Sequence, residues 1–203
     1  MEKPLLVALD LESVLIPEIW QAIAAATGVR ELQRTTRDEP DYDALMRGRI
    51  AMLRQHALTL ARLQEIIAAM HPLDGAVEFL DWLRARAQAV ILSDTFYEFA
   101  RPLLAQIGNP ALFCHTLAVD GGGFITGYRQ RCPDSKRAAA LAFRALGFRT
   151  AAVADSHNDL GMLSGVDHGF WFRPDPALAQ QHPGYPVCQS YAELQTILGG
   201  LAA

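Results

Sequence analysis

Leu5-Leu6-Val7-Ala8-Leu9-Asp10-Leu11-Glu12 is the stretch of this chain whose reading decides the fold. Five apolar residues in a row, without polar alternation, describe a strand buried on both faces, as parallel strands are when helices cover the sheet on either side. Sheets of that kind bind and react at the carboxyl ends of their strands. Asp10 and Glu12 leave the strand at that edge, where one carboxylate can attack while the other moves protons.

Downstream of this strand the pattern turns helical. Pro17 suits the first turn of a helix with its body at Glu18 to Thr27, and Gly28 is placed to stop it. Arg30 to Pro40 is polar and poorly periodic and is expected to be a loop. Helical spacing returns over Asp41 to His56, and Thr59 is a candidate N-cap for a helix ending near Met70 and Pro72. This mainly helical stretch interrupts a chain that otherwise alternates strand and helix, the signature of an insertion in an α/β domain.

The alternation resumes with a helix from Asp74 to Arg86 and the strand Ala89–Leu92, which leads into Ser93, Asp94 and Thr95. A helix over Tyr97 to Ile107 ends at Gly108. Leu112–Val119 and Phe124–Tyr128 flank Asp120-Gly121-Gly122-Gly123. That is read as a hairpin turn, because no lysine-serine pair or helix start follows, as a phosphate loop would require. A helix capped at Ser135 runs to Leu146, the strand Thr150–Ala154 delivers Asp155-Ser156-His157-Asn158-Asp159, a strand covers His168–Phe172, and a last helix begins near Ser190.

Composition narrows the function classes. The 203 residues suffice for one well-buried domain with a modest insertion, and a net charge of −4 offers no basic surface for nucleic acid. No window is apolar enough to span a membrane, and no secretory signal is recognisable, so a cytoplasmic protein acting on a small soluble ligand is expected. Cys114, Cys132 and Cys188 are odd in number and scattered, which suits reduced thiols rather than a disulfide framework or a zinc site.

Three successive apolar strands end in polar clusters: Asp10 with Glu12, Ser93 with Thr95, and Asp155 with Asp159. Any one of them could be a helix cap; three together point to a shared site. Carboxylates converging without histidine or cysteine favour a hard cation such as magnesium, which takes one or two carboxylates plus water and substrate phosphate. Ser93 can donate to a phosphoryl oxygen, and Lys136, at the start of the helix before the third strand, can neutralise phosphoryl charge. His157 lies inside the acidic loop and is expected to make only a backbone or solvent contact. Trp20, Phe79 and Trp82 are expected in the core.

Asp10-Leu11-Glu12, Leu92-Ser93-Asp94-Thr95, Lys136 and Asp155-Ser156-His157-Asn158-Asp159 resemble, in order, the four motifs of haloacid-dehalogenase-type phosphotransferases. The resemblance implies an α/β fold with a doubly wound, Rossmann-like, mainly parallel sheet. Residues 1–16 and 73–203 would form the core and residues 17–72 an inserted helical cap of the first (C1) type. More narrowly, the chain is similar to phosphoserine phosphatases, and most to their branch that also transfers phosphate from phosphoserine to homoserine. By that resemblance Asp10 is the nucleophile and Glu12 the general acid and base. Mg2+ would bind Asp10, the backbone carbonyl of Glu12 and Asp155, with Asp159 supporting it from nearby. Ser93 and Lys136 would hold the phosphoryl group, while Asp94, Thr95 and Asn158 would complete the substrate site.

Two positions depart from the common pattern. Glutamate stands at Glu12 where most such phosphatases have aspartate, and it is expected in the homoserine-transferring branch; Ala154 stands where glycine is frequent. Recognition of phosphoserine calls for an acid facing its ammonium and a base facing its carboxylate. Glu18 and Arg49 fit, Arg49 with the option of bidentate pairing, and Tyr42 matches an aromatic that closes the pocket. From spacing alone Glu18 could equally be a first-turn acid and Arg49 a solvated charge. The partners expected are thus O-phosphoserine, homoserine or water, with no nucleic acid or membrane, in a monomer or homodimer. A phosphatase for another small phosphomonoester and a phosphoacceptor signalling module are the rival readings.

Overall fold

The computed structural model describes residues 3–202. The chain begins with strand β1 (Leu5–Leu9), helix α1 (Ile19–Thr27), a single 3-10 turn at Arg30–Gln33, and helices α2 (Tyr42–Gln55), α3 (Leu60–Ala68) and α4 (Ala76–Arg84). Next come β2 (Gln88–Phe96), α5 (Tyr97–Leu104), β3 (Ala111–Val119), β4 (Ile125–Arg129), α6 (Ser135–Ala145) and β5 (Arg149–Ala154). The chain closes with α7 (Leu160–Gly165), β6 (His168–Phe172), α8 (Pro176–Gln181), β7 (Val187–Cys188) and α9 (Tyr191–Ala202).

One seven-stranded sheet has the order β4-β3-β2-β1-β5-β6-β7. Every neighbouring pair is parallel except β3 with β4. The chain winds outward from β1 to one side, then returns to lay β5 against β1 on the other. The carboxyl ends of β1 and β5 therefore flank the switch point, where a doubly wound sheet opens a crevice for ligands.

Helices cover both faces, which explains the unbroken apolar run of β1. Leu6 and Ala8 face Ala139 and Ala140 of α6 and Met162 and Leu163 of α7. Leu5, Val7 and Leu9 face Phe79 of α4, Phe99 and Leu103 of α5, and Leu194 and Leu198 of α9. Full burial of a side chain such as Leu9 contributes about 1.5–3 kcal/mol relative to exposure, so the strand that carries Asp10 is firmly anchored.

Beyond β1 the chain curls tightly through residues 11–16. The N–H groups of Leu15 and Ile16 both donate to the Leu11 carbonyl, and Ser13 adopts a left-handed φ of 59° as its N–H reaches Ile16 O at 2.7 Å. Leu73 N donates to Leu15 O at 2.9 Å, so the helical segment leaves and re-enters the α/β layer side by side. That segment holds α1, the 3-10 turn, α2 and α3 and no strand, as the sequence predicts.

Several local expectations change. Helix α1 starts at Ile19 with Glu18 in the N-cap position, so Pro17 precedes the helix instead of occupying its first turn. The predicted loop at Arg30–Pro40 contains the Arg30–Gln33 turn, held by the fully buried Leu32. Asp134, in a left-handed conformation with φ 45°, precedes α6, and Ser135 is its first residue rather than its cap. The Tyr97–Ile107 helix ends its α-helical part at Leu104 and finishes as a 3-10 turn. Pro102 lies inside α5 and has no N–H for the Glu98 carbonyl; Gln64 of α3 fills that place, its Nε2 donating to Glu98 O at 2.8 Å.

The glycine-rich stretch is the expected turn. Asp120 Oδ1 accepts from Gly122 N and Phe124 N, and Gly123 takes φ +80°, a conformation open to residues without Cβ. All three cysteines are free thiols. Among the described residues no helix is long and apolar enough to cross a membrane.

Candidate active site

Asp10 is fixed from both sides. Its N–H donates to Val153 O of β5 at 3.0 Å, and its Oδ1 accepts from Leu11 N at 2.7 Å and lies 2.9 Å from Lys136 Nζ. Lys136 is buried in the first turn of α6, and its Nζ also stands 2.5 Å from Asp159 Oδ1 and 3.6 Å from Asp94 Oδ2. Burial alone would discharge the ammonium. The three carboxylates outweigh it and raise the lysine's pKa well above its ordinary value.

The second cluster differs from its expected form. Ser93, Asp94 and Thr95 lie within β2, which continues to Phe96, and the register with β3 shifts between Leu92 and Phe96. Such an irregularity re-aims side chains near a strand end. Ser93 is buried, its Oγ accepting from Thr95 N at 3.2 Å. Asp94 Oδ1 stands 3.6 Å from His115 Nε2; His115 Nδ1 accepts from Arg131 N at 3.3 Å, which leaves Nε2 as the protonated nitrogen facing the acid. Burial pushes the Asp94 carboxyl up, but Lys136 and His115 win, and its pKa lies below the usual value.

After β5 the third cluster winds into a capping box. Ser156 donates through N and Oγ to Asp159 Oδ2 at 3.2 and 2.8 Å, while Asp159 N returns a bond to Ser156 O at 3.1 Å. Both oxygens of the fully buried Asp159 are thus engaged, one by Ser156 and one by Lys136. Asp10, Asp155 and Asp159 offer carboxylate oxygens within 4.8 Å of one another. Burial, then the charges of Asp159 and Glu18, push the Asp155 carboxyl up to about 7. Burial and Asp159 likewise raise Asp10 against the pull of Lys136. An all-oxygen donor set with more negative charge than one lysine offsets fits a hard divalent cation.

These groups open onto a cavity of about 140 Å³. From the sheet edge it is lined by Asp10, Glu12, Ser93, Asp94, Thr95, Lys136, Asp155 and Asn158; from the helical segment by Glu18, Tyr42 and Arg49. Asp159 alone among the candidates stands behind the wall. His157 is exposed and makes a ring contact with His182, outside the cavity. Glu12 is pushed well above the ordinary glutamate range by burial, then by Glu18, with which it shares a hydrogen bond, and by Asp10.

Glu18 Oε1 accepts from Ser13 Oγ at 2.9 Å. Arg49 is buried with its guanidinium 4.4 Å over the Trp20 ring, its Nη2 donating to Arg34 O at 2.7 Å, and its Nε has no hydrogen-bond partner. Burial lowers its pKa to about 10. The Arg34 carbonyl takes one N–H of Nη2, Nη1 lies 3.8 Å from Met46 Sδ, and the terminal nitrogens keep further N–H groups with which the guanidinium can meet a carboxylate. Tyr42 Oη donates to Asp94 O at 3.4 Å. Trp20, Thr35 and Thr36 also line the cavity and were not expected there. Trp20 is also buried enough to belong to the core, and the threonines sit in a stretch without periodicity.

The family profile of haloacid dehalogenase-like hydrolases matches residues 11–164. The chain belongs to that family. It is 49% identical over 92% of its length to phosphoserine phosphatase ThrH of Pseudomonas aeruginosa, covering 91% of that protein. A phosphoserine phosphatase of Pseudomonas syringae pv. tomato is 48% identical over 92% of this chain and 79% of its own. A phosphoserine phosphatase crystal structure in apo form superposes with TM-score 0.77 at 21% identity, covering 98% of each chain. A phospho-aspartyl intermediate analogue of phosphoserine phosphatase does so with TM-score 0.75 at 20% identity over 93% of each. The likeness to both structures is one of fold. Membership in this hydrolase family makes the chain an enzyme, and it separates the chain from the signalling modules that share clustered acids and a lysine.

Proposed function

We propose that this hydrolase takes the phosphoryl group of O-phosphoserine onto Asp10 and passes it to water or to homoserine. The observation that carries the reading is the meeting, in one small cavity, of Asp10, Glu12, Ser93 and Lys136 with an acid and a base, Glu18 and Arg49, on the helices above. The relatives named phosphoserine phosphatase support the donor. Residues 17–72 act in this reading as the cap that closes over the substrate.

Asp10 attacks phosphorus through a carboxylate oxygen as the bond from phosphorus to the serine oxygen breaks, and Glu12 gives its proton to the departing oxygen. The resulting aspartyl phosphate is then attacked by water or by the hydroxyl of homoserine, from which Glu12 takes a proton, so that Asp10 is regenerated. Ser93 and Lys136 hold the equatorial oxygens of the phosphoryl group. Glu18 receives the substrate ammonium, and the Arg49 guanidinium meets its carboxylate. Tyr42, Asp94, Thr95 and Asn158 shape the remaining wall.

Asp10 and Asp155, with the backbone carbonyl of Glu12, would hold Mg2+, and Asp159, already bonded by Ser156 and Lys136, would support them from behind. When bound, the ion supplies positive charge that keeps Asp10 ionised and offsets charge on the phosphoryl oxygens.

The test is turnover of O-phosphoserine with and without homoserine, followed by phosphorus NMR. Inorganic phosphate alone is expected without homoserine, and a phosphohomoserine signal with it. Phosphate release unchanged by homoserine would discard the transfer reaction, and turnover surviving in Asp10→Asn would discard the mechanism. A purely hydrolytic phosphatase for a different small phosphomonoester is recognised by activity on that ester and none on phosphoserine.

A further inference from the structure

The hairpin of β3 and β4 belongs to the α/β layer, yet it grips the helical segment at both ends of one helix. At the start of α2, the Tyr128 hydroxyl of β4 donates to the Asp43 carboxylate. At its end, Arg54 Nη1 meets Asp120 Oδ2 at 2.8 Å, with its guanidinium 4.4 Å over the Phe124 ring. The first N–H of α3, on Leu60, would be an orphan at a helix start; it donates to Gly123 O of the hairpin turn at 2.8 Å. Asp120 serves two purposes at once, since its other oxygen closes the glycine turn through Gly122 N and Phe124 N.

This grip bears on one wall of the cavity. Tyr42 is the first residue of α2, and its ring meets Tyr128 edge to face at 5.7 Å. Tyr128 in turn packs against Phe96, the last residue of β2, at 5.9 Å. Tyr128 thus stands between the strand that carries Ser93 and Asp94 and the helix that carries Tyr42 and Arg49, without lining the cavity itself.

We propose that Tyr128 is a positioning residue: by holding Asp43 and the Tyr42 ring, it fixes how far α2 stands from the sheet edge and so sets the affinity of the pocket for the group beyond the phosphate. This rests on the reading of the cavity as a phosphomonoester site. The bond to Asp43 involves a charged acceptor and lies outside the reacting atoms, so its loss falls on binding more than on chemistry.

Steady-state kinetics of Tyr128→Phe, which keeps the ring and removes only the hydroxyl, test the idea beside Asp43→Ala and the double variant. KM for phosphoserine is expected to rise about three- to tenfold in each single variant, with kcat within about twofold. The double variant should be no worse than either single one, because both remove the same contact. Unchanged KM in Tyr128→Phe, a loss confined to kcat, or additive KM effects would each overturn the proposal. Thermal unfolding by circular dichroism confirms that each variant is folded, and the isosteric phenylalanine change keeps the test valid if the alanine variant is not. Should the wild type ignore phosphoserine but hydrolyse another phosphomonoester, the substrate reading fails, and the same kinetics on that ester still decide the role of Tyr128.

Discussion

Glu12 is hemmed in by Glu18 and Asp10, and the burial that it shares with them favours its protonated form. A protonated carboxyl matters when the leaving group is poor. Serine departs as an alkoxide that needs a proton, whereas p-nitrophenolate leaves without one, so the two substrates separate the donor and acceptor roles of the same side chain. In Glu12→Gln, turnover of phosphoserine is expected to fall by about 10²–10⁴. With p-nitrophenyl phosphate the same variant should release a burst of nitrophenol, close to one per site, and then slow down, because in the proposed mechanism attack of water on the phosphorylated Asp10 still needs a base. Stopped-flow absorbance reads this directly, and full steady turnover of both substrates would remove Glu12 from proton transfer. Of the side chains around it, those next to strand ends were legible in the sequence, since apolar runs announce where they finish. Thr35, Thr36 and Trp20 were not: the cavity acquires them from a stretch without period and from a residue whose burial satisfies a core reading equally well.

At the scale of elements, β5 and β6 show how the sheet is tied together away from its reactive edge. Thr150 donates through N and Oγ1 to Asp167 Oδ2 at 2.9 Å each, Asp167 N returns bonds to Thr150, and Arg144 of α6 lies 2.8 Å from Asp167 Oδ1. Burial pushes the Asp167 carboxyl up, but the Thr150 donors and Arg144 prevail and hold its pKa below the usual value. A carboxylate depressed in the folded state adds stability above its unfolded pKa and loses it as pH falls through the folded one. Asp167→Asn is therefore expected to cost about 1–2 kcal/mol at pH 7, with the half-exposed Arg144 contributing the smaller share. The gap between variant and wild type should close below about pH 4, as urea titrations at both pH values would show; a constant gap would point to packing instead. The strands here were legible from their apolar runs. Their ties were not, because a lone aspartate seventeen residues beyond a threonine carries no periodic signal. The same holds for β2, whose pairing with β3 breaks register after Leu92 and resumes only where Phe96 meets His115, and for the grip of Tyr128 on Asp43, eighty-five residues apart.

For the whole molecule, winding in both directions from β1 brings the acids of β1 and β5 to one switch point and leaves Lys136 to balance them. Fold class and the position of the reactive edge follow from strand order, which the sequence carries in its alternation of apolar runs and helices. The electrostatic consequence emerges only when the strands are assembled: Asp155 finds Asp159 and Glu18 close by, and its carboxyl is pushed up to about 7 by burial and their charges. If these acids hold a cation as proposed, their mutual repulsion strains the site without it, and function and stability oppose each other at Asp155. Asp155→Asn keeps the shape of the side chain and removes one like charge. In the presence of a chelator the variant is expected to unfold about 2–4 °C above the wild type, the shift that about 1 kcal/mol produces in a chain of this size. Magnesium chloride should then reverse the order, since an ion that binds only the folded form adds about 2.7 kcal/mol at a hundred times its dissociation constant, a gain open to the wild type and closed to the variant. Differential scanning calorimetry with and without magnesium distinguishes the outcomes. A variant less stable than wild type under chelation would mean that Asp155 does not carry the excess charge of the site, and one that keeps the magnesium-dependent rise would mean that it does not hold the ion.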